Sequence, residues 1–477
     1  MSSSIPTQLR QAVAEIARIS PLTVDLGNLF QRAGFELALV GGPVRDALLG
    51  RLGNDLDLTT NARPEQILEL VANWADSTWD VGARFGTIGI NKSGYKLEIT
   101  TYRSENYDEN SRKPEVSFGD TLAGDLGRRD FTINAMAIKL PELEFVDLFG
   151  GLTDLANKLI RTPQLASMSF SDDPLRMLRA ARFASQLNFT VEPEVITAMR
   201  DMKSRLAIVS AERIRDEFNK LILGIKPRLG LILLVETGLL EIFLPEIPAL
   251  QLAEDEHNRH KNIYEHSITV LEQAIELEQS HEPTMPPDLV LRLAALLHDI
   301  GKPKTRKFED NRVTFHHHEV VGAKMTRKRL KELRYSNEEI EPISLLVELH
   351  LRFHGFSGGE WTDSAVRRYV IDAGDQLVRL HKLTRADCTT RNQRKATALQ
   401  LAYDDLEQRI NLLAEQEELN AIRPDLDGNE IMQILQLKPG PMVGKAYQHM
   451  LEVRLEQGPL DRDAAIAELK RWWQSQN

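Results

Sequence analysis

The sequence predicts a mixed α/β head followed by an all-α remainder made of a neck, a body and a tail. In the first 150 residues, short apolar runs bounded by Gly-rich turns alternate with helix-like stretches. From about residue 171 the apolar spacing is helical almost to the C-terminus. The 477 residues also suffice for roughly three domains, so one core need not serve the whole chain. Breaks at Gly150–Gly151, at KPRLG near 226–230 and at AIRPDLDGNE, 421–430, divide it into 1–150, 151–228, 229–420 and 421–477.

Composition narrows the class. Hydrophobic residues make up 42% and charged residues 27%, as in soluble globular proteins, and no apolar run approaches the ~18 residues of a membrane span. The opening MSSSIPTQLR lacks the charged-then-apolar pattern of a signal peptide. A single cysteine, Cys388, excludes an internal disulfide and fits a reducing cytoplasm. The net charge of −11 would argue against nucleic acid if it were evenly spread, but it is not. Residues 174–228 hold eleven Lys/Arg against six Asp/Glu, and 323–334 hold six against one, local basic surface of the kind a phosphate backbone requires.

In the head, FELALVGG, DLDLTT, GTIGIN, YKLEITTYR and FTINAMAIKL read as strands, and PVRDALLGR and PEQILELVANWA as helices. Gly41 and Gly42 end the first strand, and Arg45 follows in a helix start, where backbone N–H groups and the helix terminus favour a phosphate. Asp55 and Asp57 stand two apart on a strand, so both carboxylates face one side. Such neighbouring like charges need a cation between them, and hard oxygen ligands suit Mg²⁺. Glu98, on another strand, is the candidate third carboxylate of a two-metal site. RRDFTINAMAI adds Arg128, Arg129 and Asp130 at a strand mouth with Asn134 inside the strand, cations for a triphosphate beside a carboxylate for ribose hydroxyls.

GGPVRD, DLD, ITTYR, RRDFTINAMA, DDPLRMLRAARF and AERIRDEFNKLI, in this order over residues 37–225, resemble the class II tRNA nucleotidyltransferases of the DNA polymerase β superfamily. That resemblance implies a nucleotidyltransferase head and template-free addition of C, C and A to the tRNA 3′ end from CTP and ATP. It makes Asp55 and Asp57 the Mg²⁺ ligands, sets Arg128, Arg129 and Asp130 against the incoming nucleotide, and puts its phosphates on Gly41, Gly42 and Arg45.

SDDPLRMLRAARF, 171–183, predicts a helix starting near 172 with Pro174 in its first turn and Asp172 or Asp173 as its cap. Asp173 and Arg176, three apart, would share one face. A carboxylate accepts and a guanidinium donates, matching the amino donor and ring-nitrogen acceptor of cytosine and of adenine. Uracil and guanine present the reverse order, and buried mismatched groups can reject a substrate by ~10⁴-fold. The family motif usually begins with Glu where this chain has Asp172. Arg179 and Arg182 would either contact the triphosphate or pack against AERIRDEF. Residues 106–127 carry mixed charge and little periodicity, which reads as a mobile loop. In the resembling family a loop here serves the switch from CTP to ATP, and CC-only enzymes lack part of it.

Ten of the twelve histidines lie between 257 and 354, which argues for a metal site. VLRLAALLHDIGKPKT ends an apolar helix on His298 and Asp299 and resembles the HD phosphohydrolase superfamily. Its H, HD, D order is met by His266, His298, Asp299 and Asp387, and His318 and His350 extend the set toward a second metal. Imidazoles with carboxylates accept a divalent transition metal or Mg²⁺. Whether this body hydrolyses a phosphoester or serves as scaffold is open at this stage, and His316 and His317 read equally well as plain surface. The tail, LKPGPMVGKAYQHMLEVRLEQGPLDRDAAIAELKRWW, reads as two amphipathic helices around a GP turn, with Trp472 and Trp473 in the core or stacked on nucleic acid. By the resemblance, the tRNA elbow lies against this end.

The expected partners are therefore tRNA, CTP and ATP, with no membrane, and nothing in the sequence specifies an oligomeric state. The remaining alternatives are a CC-adding, A-adding or poly(A) polymerase relative, or an HD phosphohydrolase with a nucleotide-sensing head. The intact DLD argues against a non-enzymatic tRNA chaperone.

Overall fold

In the computed structural model, which describes residues 4–80, 82, 86–106, 115–118, 121–252, 263–281, 285–309, 312–353, 362–388, 393–416 and 422–476, the chain divides after Pro245 into two units. The first opens with α1 (Ser4–Arg32), a helix the strand-centred reading passed over. A strand of four buried residues, β1 (Leu37–Val40), leads through Gly41 into α2 (Gly42–Leu48). The alternating sequence DLDLTT becomes β2 (Asp55–Thr60), in which Leu56 and Leu58 are buried and Asp55 and Asp57 exposed. After α3 (Pro64–Val71) come β3 (Ser77–Trp79), β4 (Thr87–Lys92) and β5 (Tyr95–Thr101).

The next segment departs from the mobile loop expected over 106–127. β6 (Arg103–Asn106) pairs antiparallel with β7 (Glu115–Phe118), and α4 (Leu122–Gly127) is capped by Thr121, whose hydroxyl accepts from the Gly124 N–H. Leu122 and Leu126 of α4 bury against Ala38, Val40, Tyr102 and Ala137, and that burial orders the helix. Of the expected loop, 107–114 and 119–120 lie outside the described residues.

FTIN also differs from expectation. Thr132–Asn134 form a 3₁₀ turn, and the strand β8 begins only at Met136, running to Leu140 before β9 (Glu144–Asp147). All of Phe131–Asn134 are buried, so nothing there alternates, and Thr132 donates its hydroxyl to Asp154 at 2.6 Å. The strands form one sheet in the order β3-β4-β5-β2-β1-β8-β9, in which only β2 and β5 run parallel. Their register pairs Asp57 with Glu98.

The neck is helical: α5 (Gly151–Ala156), α6 (Ala166–Asp172), α7 (Leu175–Leu187), α8 (Pro193–Asp201), α9 (Ala211–Ile222) and α10 (Pro227–Glu236), with α7 packed on α9 and α10. A short parallel ladder, Leu159–Ile160 with Thr190–Val191, interrupts it. The helix predicted from 172 starts at Leu175 instead. Asp173, just before Pro174, is extended at φ −140° and ψ 103°, as the proline ring requires of its predecessor, and so separates α6 from α7.

In the second unit, the helices Ile263–His281, Leu289–Leu297, His318–Glu332, Asn337–Leu349 and Leu377–Ala386 pack together beside a hairpin, Lys307–Glu309 with Arg312–Thr314, that the helical periodicity did not announce. The C-terminal helices Gly428–Leu435, Pro441–Gln457 and Arg462–Gln476 enclose a cluster around Ile431, Met450 and Leu469. Trp472 packs on this cluster and stacks on His449 at 5.2 Å. Among the described residues no helix is long and apolar enough to cross a membrane.

Candidate functional site

A cleft of about 320 Å³ opens where β2, the β1–α2 turn, the 3₁₀ turn and α7 meet. Asp57 lines its floor; the strand period puts Asp55 on the same face of the sheet and the parallel register sets Glu98 beside Asp57, although neither Asp55 nor Glu98 is among the lining residues. Loss of water at the cleft floor raises the Asp57 pKa; Arg129 opposes that shift, and Glu98 and Asp55 add to it. Lys96 forms an ion pair with Glu98 at 3.0 Å. Three hard carboxylates crowded enough to disfavour charge on one of them fit a divalent cation such as Mg²⁺.

Arginines form the opposite wall. Arg45 donates to the Asn134 Oδ1 at 2.6 Å, Asn134 Nδ2 donates to Asp130 Oδ1 at 3.0 Å, and Arg179 Nε donates to Asp130 Oδ2 at 2.7 Å. This relay links α2, the 3₁₀ turn and α7. Burial would raise the Asp130 pKa, yet Arg179 and the Asn134 amide hold it well below the usual range, so it stays an anchor for cations. Arg182 pairs with Glu217 of α9 at 2.9 Å, and burial together with Arg179 lowers its pKa to about 10. The buried Nε–H groups of Arg129 and Arg182 have no hydrogen-bond acceptor among the described residues. Two unspent donors and four cations around a cleft make a cradle for a polyanion. Gly41 holds φ at +75°, and a side chain there would bring its Cβ within 2.8 Å of Arg129 Nη1.

Of the sequence-predicted residues, Gly41, Gly42, Arg45, Asp57, Arg129, Asp130, Asn134, Arg179 and Arg182 all line this cleft. Arg128 does not: it turns to Asp125 at 2.5 Å. Asp173 and Arg176 are also outside the lining and do not form the pair expected at the helix mouth. Asp173 Oδ1 accepts the Leu175 N–H at 3.0 Å, and its Oδ2 accepts from Arg213 at 3.1 Å. Arg176 is buried and donates to Ser169 Oγ at 2.9 Å and to the Arg128 carbonyl at 2.6 Å. Asp172 ends α6.

The second unit gathers the histidines. The ligand atoms of His266, His298 and Asp387 lie within 4.8 Å of one another, and so do those of Asp299, His318 and His350. His298, His318 and His350 each direct Nδ1 to a carbonyl three residues earlier, of Ala295, Phe315 and Val347, at 2.8, 2.8 and 2.7 Å. Each ring therefore presents Nε2 to the centre. Asp299 faces both groups: its Oδ2 lies 3.2 Å from His298 Nε2 and its Oδ1 lies 3.2 Å from His318 Nε2. Burial and the neighbouring His298 push His350 down to about 3, the neutral ligand form, and its buried Nε2 lacks a hydrogen-bond partner among the described residues. This donor set fits a divalent metal, which the imidazole Nε2 atoms and the Asp299 and Asp387 carboxylates would hold. Gly301 permits the approach, because a Cβ there would sit 2.1 Å from the His318 carbonyl oxygen.

Comparison with known proteins follows this division. The Poly A polymerase head domain matches residues 37–161, the probable RNA- and SrmB-binding site of polymerase A matches 188–250, and the HD domain matches 263–392. The A-adding tRNA nucleotidyltransferase of Deinococcus radiodurans is 32% identical over 443 residues, covering 91% of this chain and 95% of that protein. The chain belongs to the tRNA nucleotidyltransferase family. A CCA-adding enzyme of Lactobacillus helveticus is 44% identical over 210 residues, and the chain spans about half that relative's length, 51%. In fold, this tRNA nucleotidyltransferase resembles the Bacillus stearothermophilus CCA-adding enzyme in complex with CTP, with a TM-score of 0.65 over 97% of this chain and 98% of that one at 22% identity. The Thermotoga maritima CCA-adding enzyme complexed with tRNA gives 0.59 over 95% of each at 19% identity.

Three residues of this nucleotidyltransferase escaped the sequence reading. Arg213 reaches Asp173 across forty positions, and Phe183 and Gln186 line the cleft beside the arginines. Arg213 and Phe183 stand within the motifs given above, but only tertiary packing reveals what they touch.

Proposed function

We propose that this tRNA nucleotidyltransferase adds C, C and A in turn to the tRNA 3′ end from CTP and ATP, in the cytoplasm, and that divalent cations are held at Asp55 and Asp57. The observation that carries this reading is that Asp57, with Glu98 beside it on the sheet, meets the arginine wall in one cleft. Cations on those carboxylates would lower the pKa of the attacking 3′-hydroxyl and offset charge on the departing pyrophosphate. Arg45, Arg129, Arg179 and Arg182 would hold the triphosphate, and Arg128 would act at one remove by fixing Asp125. Selection of C and A over U and G falls to Asp173 and Arg176. Both groups stand outside the cleft lining, and the role is supported by the bond of Arg176 to the carbonyl of Arg128, the residue next to the cleft residue Arg129. The basic neck, matched by an RNA-binding family, supports tRNA as the acceptor.

A-addition alone is the second reading, favoured by the end-to-end match to an A-adding relative. One assay separates the two. Purified protein is incubated with tRNA ending at the nucleotide before C-C-A, and separately with tRNA ending in C-C, with each nucleotide in turn, and the products are sequenced. The expected result is growth of the first by C-C-A when CTP and ATP are present; extension of the second alone, by ATP only, would establish A-addition.

The histidine centre we read as a metal site of the HD type in which His318 and His350 help hold a second ion. In a background carrying Asp55→Asn and Asp57→Asn to silence the head, equilibrium dialysis against Mn²⁺ is expected to find a second bound ion that His350→Ala removes. Equal occupancy with and without His350 would confine the centre to His266, His298, Asp299 and Asp387.

A further inference from the structure

Three of the cleft arginines converge on one aromatic ring. The guanidinium carbons of Arg182, Arg45 and Arg179 lie 4.2, 5.2 and 5.6 Å from the centroid of Phe183. Phe183 is 4% exposed and still lines the cleft, and Phe131 fixes its orientation edge-on at 5.7 Å and 87°. Each of these arginines is tethered to a carboxylate, of Asp46, Asp130 or Glu217, at 2.5 to 3.0 Å. The tethers anchor the guanidinium groups but leave three like charges close together in a site that excludes much of its water, and such charges repel. An aromatic π surface is negative and attracts cations within about 6 Å of the centroid.

The geometry points to Phe183 as a positioning residue for the phosphates of the incoming nucleoside triphosphate. Its ring gathers Arg45, Arg179 and Arg182 and keeps them spaced, so that the polyphosphate meets cations already in place. The inference rests on the proposed reading of the cleft as the nucleotide site. Because the ring acts on the phosphate-binding groups and not on the base, its loss should weaken CTP and ATP alike.

The test varies ring electrostatics at nearly constant shape. Phe183 of the full-length protein is replaced by mono-, di- and trifluorophenylalanine, which progressively remove negative charge from the π face, and Phe183→Leu supplies the end point without a ring. KM for CTP and for ATP is expected to rise in step with fluorination, reaching about threefold to tenfold at the trifluoro ring, from the usual strength of such contacts. The melting temperature and the preference for CTP over UTP should stay flat across the fluorinated series. A flat KM across that series, or a melting temperature that falls in step while KM does not move, would overturn the proposal. Arg182→Gln serves as the reference. If it leaves KM for both nucleotides unchanged, the cleft is not the phosphate site and the proposal falls with that reading. If it raises both while fluorination does nothing, the role of Phe183 alone is rejected.

Discussion

Asp57→Ala is expected to abolish nucleotide addition, with kcat reduced on the order of 10³-fold or more. Removing a carboxylate that holds a catalytic cation forfeits several kcal/mol of transition-state stabilisation, and each 1.4 kcal/mol is tenfold in rate. The same change should not harm the fold. Asp57 stands beside Asp55 and Glu98, and its charge is already disfavoured there, so its loss relieves repulsion between like charges. The melting temperature should therefore hold or rise slightly, while Mn²⁺ uptake by the histidine centre and binding of tRNA remain intact. Single-turnover extension of C-C-ended tRNA with ATP measures the first effect, and calorimetry the second. Addition within tenfold of the wild-type rate would remove Asp57 from the chemistry.

Asp173→Ala carries the next largest effect, on selection and not on turnover. On the proposed reading the substitution deletes the acceptor for the amino group of C or A, and it removes the carboxylate that Arg213 contacts. It also strips the acceptor from the Leu175 N–H, at a cost of about 1 kcal/mol in stability. The ratio of kcat/KM for CTP over UTP is expected to fall at least tenfold, within the ~10⁴-fold ceiling for discrimination by buried polar groups. Metal-dependent addition should persist, because the cleft carboxylates are untouched. Sequencing of products formed from an equimolar mixture of the four nucleotides reads the outcome, and unchanged selectivity would take the base-reading role away from Asp173.

Much of the carboxylate arrangement beside the cleft was legible in the sequence because its signal is local. The period of two in DLDLTT sends Asp55 and Asp57 to one face whatever the surroundings, and Gly41 marks a turn that only a residue free to take positive φ makes easily. The HD pair was legible for the same reason, as an apolar helix ending on an adjacent histidine and aspartate that the structure brings to the histidine centre. What escaped depends on partners far along the chain. Asp173 looked like the mate of Arg176 because they are three apart, but the proline after it forced it out of the helix and into reach of Arg213. FTIN looked like a strand because Phe, Thr and Ile favour one, but Asn134 is drawn into a turn by Arg45 and Asp130. The α4 helix was read as loop because its two buried leucines give too little periodicity, and only the sheet they pack against makes them informative.

The aim of the histidine rings has a consequence for how this chain tolerates change. His298 and His350 each hang from a carbonyl one helical turn earlier, so the pitch of the backbone decides where their free nitrogens point. Inserting or deleting one residue within either helix swings the imidazole by about 100° and takes its Nε2 away from the histidine centre. The same edit in a connecting segment leaves the aim of both rings untouched, so length variation among relatives should collect in the connections and spare those two helices.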